Sequence, residues 1–99
     1  MILGKVVGTV VSTQKDPNLV GLKLQLVQAV SVKDQKPEGR IMVAVDSVGA
    51  GIGDLVMLVT GSSARLTLLT QKAPTDATIV AIVDAVEVDG KIVYGGGQS

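Results

Sequence analysis

The chain contains no cysteine and no histidine. Without cysteine there is no disulfide framework, no thiolate metal site and no thiol nucleophile. Without histidine the commonest general base near neutral pH is missing. Aromatics are reduced to Tyr94, so the stacking platforms on which single-strand binders hold bases are absent. Charge of one sign is also lacking. Nine basic and nine acidic residues cancel, whereas nucleic-acid binders draw much of their affinity from basic contacts to phosphate. No apolar run approaches the roughly 20 residues of a membrane-spanning helix. The N-terminus has no apolar core of the secretory kind. These absences predict a cytoplasmic protein that is no enzyme, holds no cofactor or metal, and has neither nucleic acid nor membrane as partner.

What is present is aliphatic. The 99 residues suffice for one small domain. They are 46% hydrophobic, with a mean hydropathy of +0.48. That is too apolar for disorder and unusually apolar for a small soluble monomer. Surplus aliphatic surface on so small a core points to an oligomer interface.

Alternation and turn chemistry divide the chain into strands. The first spans 2–13, with Ile2, Val6 and Val10 on one face and Gly4 and Gly8 between them. Glycines along an inward face suit a tightly coiled small barrel. Asp16-Pro17-Asn18 is a turn. A second strand spans 20–32, with Leu22, Leu24 and Leu26 inward and Lys23 and Gln25 outward. After the polar loop 33–39, a third strand covers 40–46 with Ile41, Val43 and Val45 on one face. The fourth covers 55–59 and is apolar on both faces. Gly61-Ser62-Ser63-Ala64-Arg65 has the look of a helix start, with Ser62 or Ser63 as N-cap, so a short helix is expected there. A fifth strand spans 78–88, and Asp89-Gly90 turns it into a C-terminal hairpin ending at Tyr94. The expected fold is mainly β: a small five-stranded antiparallel barrel with one short helix and a C-terminal hairpin. Residues 1–94 form a single barrel domain and 95–99 a flexible tail. The inward set is expected to be Ile2, Val6, Val10, Leu22, Leu24, Leu26, Ile41, Val43, Val80 and Ile82.

The most unusual stretch is Asp46-Ser47-Val48-Gly49-Ala50-Gly51-Ile52-Gly53-Asp54. It invites a phosphate-loop reading, but the third glycine of a dinucleotide fingerprint would come one residue later and a helix would follow. Here an apolar strand follows. The Gly-Lys-Ser/Thr ending of a nucleotide P-loop is missing too. Asp46 and Asp54 bracket the loop without a base, nucleophile or ligand set beside them. They suit capping of loop N–H groups, or a pair with Arg65. Asp84, among apolar neighbours, is expected to be paired or at an edge. Ser62 and Ser63 are nucleophiles by type only.

Several blocks together resemble the EutN/CcmL family of bacterial microcompartment vertex proteins. They are Gly8-Thr9-Val10-Val11-Ser12-Thr13-Gln14-Lys15, Gly21-Leu22-Lys23-Leu24, the run from Ala44 to Asp54, Gly61 to Arg65, and Asp76 to Asp84. The resemblance implies an OB-like barrel assembled as a homopentamer that caps shell vertices beside hexameric shell proteins. The metabolosome members look closer than the carboxysome members. On this reading Asp46, Gly49, Ala50, Gly51, Gly53, Asp54, Gly61, Ser62, Ser63, Ala64 and Arg65 lie at the subunit interface or central pore. Lys15, Lys23 and Arg40 are candidates for docking to the shell tiles. An OB-type nucleic-acid module is the alternative, and the neutral charge and missing aromatics speak against it.

Overall fold

A computed structural model describes residues 1–12, 17, 21–61 and 77–95. Among these residues seven strands run in order: β1 Ile2–Val10, β2 Lys23–Val30, β3 Pro37–Asp46, β4 Leu55–Thr60, β5 Ala77–Ile82, β6 Ala85–Val88 and β7 Lys91–Gly95. The first five close into a barrel in the order β1-β2-β3-β5-β4, and β6 and β7 form a separate two-stranded sheet. The expected OB-like barrel is present. One seam departs from the antiparallel expectation: β3 and β5 pair in parallel, at Val45 with Thr78 and Asp46 with Ile79. The helix expected after Gly61 lies outside the described residues. So do residues 96–99; Gly95, assigned to the tail, pairs with Ala85 as the last residue of β7.

Closure of so small a barrel demands strong coiling, and bulges supply it. The β1–β2 register shifts between Val6 and Gly8, leaving Val7 unpaired. Val6 pairs with Val27 inside the barrel, whereas Gly8 and Val10 pair with Leu26 and Leu24. Val10 therefore does not share a face with Val6, contrary to the sequence expectation. A second shift, between Met57 and Leu58, leaves Val80 without a partner across the β4–β5 seam.

The interior is filled mainly by small and β-branched residues. Val6, Val27, Ala29, Met42, Ala44, Ala50, Val56, Leu58, Ala77 and Ile79 form one buried cluster, with Ile2 packed against it. Space is tight enough that a Cβ on Gly4 would stand 2.5 Å from Val27 Cγ1. This reverses the faces assigned to three strands. On β2 the inward residues are Gln25, Val27 and Ala29, not Leu22, Leu24 and Leu26, which are half-buried. On β3 they are Met42 and Ala44; Ile41 is 53% and Val43 50% exposed. On β5 Ala77 and Ile79 are buried, while Ile82 is exposed and Val80 half-buried. A five-stranded barrel has too narrow a bore for rows of leucine. The larger aliphatics therefore stand on the outer wall.

The long strand expected over 78–88 is broken in two. The chain leaves the barrel at Val83 and Asp84, where the Val83 N–H still donates to Leu55 O at 2.8 Å. Beyond that point β6 and β7 contact each other and scarcely touch the barrel strands. The hairpin turn is as expected, with φ of 52° at Asp89 and 78° at Gly90, the type I′ signature.

Candidate functional site

The 46–54 loop leaves β3 and returns across the end of the barrel. Its hydrogen bonds explain its sequence. Asp46 is buried, and its Oδ1 accepts the N–H groups of Val48 and Gly49, each at 2.9 Å. This is an Asx-type turn, in which the side chain replaces a backbone partner. Asp54 does the same at the far end, with its Oδ2 accepting the Gly51 N–H at 2.8 Å. The two carboxylates are thus caps, each serving its own half of the loop.

The centre of the loop is pinned from inside. Ala50 is fully buried and belongs to the core cluster. Its carbonyl accepts Gln25 Nε2 at 2.7 Å and Lys23 Nζ at 3.2 Å. Gln25 is itself buried; its Nε2 also donates to Asp46 Oδ2 at 3.3 Å, and its Oε1 accepts the Thr9 hydroxyl at 3.1 Å. The amide therefore joins β1, β2 and the loop. Ser47 Oγ donates to Ile79 O on β5 at 2.7 Å. The Gly53 N–H donates to Val6 O and the Val6 N–H to Asp54 O, which splices the loop onto β1 beside the Val7 bulge.

The glycines divide by role. Gly49 and Gly53 have φ of 82° and 95°, and among the described residues nothing lies within 4 Å of the Cβ each would carry. They are glycine because an L side chain disfavours that backbone. Gly61 is of the same kind, at φ 66°. Gly51 has no positive φ, and its nearest contact would be Asp54 Oδ2 at 3.8 Å. Between these turns Ile52 is 71% exposed. The loop so presents an apolar tip on a rigid base.

Of the residues singled out in the sequence, the structure brings Asp46, Gly49, Ala50, Gly51, Gly53 and Asp54 together in this loop. Asp46 and Ala50 serve the subunit's own interior. Gly61 follows β4. Ser62, Ser63, Ala64 and Arg65 lie outside the described residues. Gln25 was missed: the leucine alternation of β2 assigns it to solvent, whereas it is the polar pin of the loop. The usable signal was its neighbour Val27, an apolar residue on the supposedly polar face.

Chemically, the polar groups of this arrangement hold backbone: Asp46 and Asp54 accept loop N–H groups, and Gln25 donates to the Ala50 carbonyl. Among the described residues there is no group of three or more histidine, cysteine, aspartate or glutamate side chains placed to hold a metal. No helix among them is long and apolar enough to cross a membrane.

Comparison with known proteins gives one consistent picture. The family model described as ethanolamine utilisation protein EutN/carboxysome matches residues 1–84. The solved structure of the Nostoc sp. carboxysome protein CcmL superposes with a TM-score of 0.90 at 44% identity, over 97% of this chain and all of that one. The Salmonella typhimurium microcompartment shell vertex protein PduN is 49% identical over 85% of this chain and 96% of its own length. The pentameric shell protein GrpN of Rhodospirillum rubrum, also solved, has a TM-score of 0.76 at 48% identity, over 89% and 98% of the two chains.

Proposed function

The chain belongs to the EutN/CcmL family, and we propose that it is a structural vertex protein of a bacterial microcompartment shell, working as a homopentamer. The observation that carries this is agreement over nearly the whole chain with vertex proteins, one of them pentameric. The outer wall of the barrel supports it independently. The narrow bore places Ile41 and Val43 on the outer wall, half exposed, and a neighbouring subunit is one way to cover such apolar surface. In a ring each subunit offers two different patches, and the contact closes when the rotation permits.

The chemistry of the chain fits a structural role: the buried Gln25 and Asp46 are spent on holding a loop. The shell tiles around a vertex are hexameric proteins in this reading, and Lys15, which lies outside the described residues, Lys23 and Arg40 are candidate contacts to them. Lys23 also donates to the loop, and Arg40 is exposed. The exposed tip of the 46–54 loop, with Gly61 to Arg65, faces a neighbour or the ring axis. Carboxysome and other microcompartment vertex proteins match at similar identity, 44% and 49%, so the reading is the vertex role common to both.

Light scattering coupled to size exclusion tests it. The expected mass is five subunits. A stable monomer at micromolar concentration would sink the proposal. Tight binding to single-stranded oligonucleotide at low salt would favour the nucleic-acid module instead.

A further inference from the structure

We propose that the Asp89–Gly90 turn of the β6–β7 hairpin is a site of spontaneous covalent modification, where the aspartate cyclises to a succinimide and reopens as isoaspartate. The inference does not depend on the ring reading above.

The reaction is intramolecular. The Gly90 amide nitrogen attacks Cγ of the Asp89 carboxylic acid. A Cγ–N bond forms and a Cγ–O bond breaks. The oxygen leaves as water, carrying the acid proton and the amide hydrogen. Water then adds back to the ring. Opening at Cγ restores aspartate. Opening at the main-chain carbonyl routes the chain through the side-chain methylene, which is isoaspartate. Nothing is oxidised or reduced, and the water lost is the water regained. The step needs an unhindered amide on the following residue, a carboxyl free to swing onto it, and a backbone able to leave its native form.

The aspartates of the chain differ on all three needs. Asp89 is the one aspartate followed by glycine; the others precede proline, glutamine, serine, leucine or alanine. Asp46, before Ser47, is buried, and its two oxygens accept the Val48 and Gly49 N–H groups and the Gln25 amide. Asp54 holds the Gly51 N–H and precedes the buried Leu55. Asp34 holds the Lys36 N–H at 3.1 Å. Asp84 is exposed, but the amide beside it belongs to Ala85, which carries a methyl group and is paired with Gly95.

At the hairpin tip Asp89 and Gly90 are both exposed. Among the described residues nothing lies within 4 Å of the Cβ that Gly90 would carry, so the space beside the attacking nitrogen is open. Closing the ring requires Asp89 to leave the type I′ form. Two features favour that opening. Asp89 sits at φ 52°, in left-handed backbone that an L residue holds at a cost. The turn also closes a two-stranded sheet separate from the barrel, and an isolated hairpin is marginal in water. The product has a structural consequence. An extra main-chain methylene lengthens a two-residue loop whose geometry sets the Val88–Lys91 pairing, so that closing pair is lost.

The test incubates the full native chain at neutral pH and body temperature, beside the same chain unfolded in urea. Isoaspartate is counted by methyl transfer from an isoaspartyl carboxyl methyltransferase and located as isomeric peptide pairs after digestion. In the native chain the peptide holding Asp89 is expected to carry most of the isoaspartate, several-fold more than the peptide holding Asp46. Asp89→Asn keeps a residue suited to the turn and cyclises with loss of ammonia; it is expected to build up isoaspartate several-fold faster. Asp89→Glu, which would have to close a larger ring, is expected to lose the signal at this peptide. Three results would overturn the assignment. They are a native Asp89 peptide unchanged over the time in which the unfolded chain converts, an Asp46 signal equal to that of Asp89 in the native chain, or a signal that survives Asp89→Glu.

Discussion

The 46–54 loop and the β6–β7 hairpin are both short, glycine-turned excursions from the same barrel, and they are held in opposite ways. The loop is tied to β1 through Val6, to β2 through Gln25 and to β5 through Ser47. One of its residues, Ala50, is part of the core. The hairpin is tied at its root and then leaves. The difference teaches where a small apolar protein spends its interactions. The loop, though exposed at Ile52, draws its order from the subunit. Among the described residues the hairpin has well-formed turn chemistry and fewer contacts with the barrel strands than the loop has. Local stability should fall from barrel to loop to hairpin.

The largest expected effect tests the top of that ranking. Leu58→Ala empties a fully buried position of the cluster and is expected to cost about 2–5 kcal/mol. Urea denaturation at fixed protein concentration measures it, because assembly adds to apparent stability. A loss under 1 kcal/mol would mean that the barrel interior is not the main source of subunit stability.

Gln25→Leu comes next. The substitution keeps the volume roughly and removes the donor to Ala50 O and Asp46 Oδ2 and the acceptor of the Thr9 hydroxyl. Lys23 still reaches the Ala50 carbonyl, so the expected cost is about 1–3 kcal/mol. Hydrogen exchange should then rise at Gly51 and Gly53 and stay unchanged in β6 and β7. If exchange rose in the hairpin as much as in the loop, the two regions would be one cooperative unit and the comparison would fail.

The hairpin sharpens the comparison from the other side. Its amides are expected to exchange freely at subunit concentrations low enough to dissociate the ring, and to gain protection on assembly, while those of Val6 and Gly53 change little. Equal protection of Val86 and Tyr94 in both states would show that the hairpin supports itself.

How much of this was legible depends on what each residue had to satisfy. Strand content, the five-stranded barrel and the Asp89-Gly90 turn followed from local alternation and turn chemistry, which act within a few residues. The caps Asp46 and Asp54 were legible for the same reason. Which face points inward was not. Leu22, Leu24 and Leu26 are more apolar than Gln25, Val27 and Ala29, and alternation assigns the more apolar face to the core. That inference presumes one surface to bury. A subunit that buries a second surface in an assembly can keep its larger aliphatics for it, and the narrow barrel leaves Ala29 and Ala44 inside. The Val7 bulge, which moves Val10 off the face of Val6, has no sequence signature in a run of valines. The break after Ile82 did have one: Asp84, an exposed carboxylate among apolar residues, marks where the strand leaves the barrel.

The smallest expected effect is the most discriminating for the loop. Gly49 and Gly51 look alike in sequence and differ in structure. Gly49→Ala forces a side chain into φ 82°, where left-handed backbone costs an L residue about 1–2 kcal/mol. Gly51→Ala meets no such penalty. Its Cβ would see only Asp54 Oδ2, at 3.8 Å, which is ordinary contact. Removing a glycine at a compatible position lowers the entropy of the unfolded chain and is expected to stabilise by about 0.4–1 kcal/mol. Among the described residues, therefore, nothing requires glycine at 51. If a neighbouring copy approaches the loop there, the added methyl meets that neighbour, and Gly51→Ala weakens the ring while the dissociated subunit unfolds at higher denaturant. If the loop faces open solvent, ring and subunit both gain or stay as they were. Dilution light scattering and subunit denaturation, read side by side, separate these two outcomes. The second would remove Gly51 from the interface.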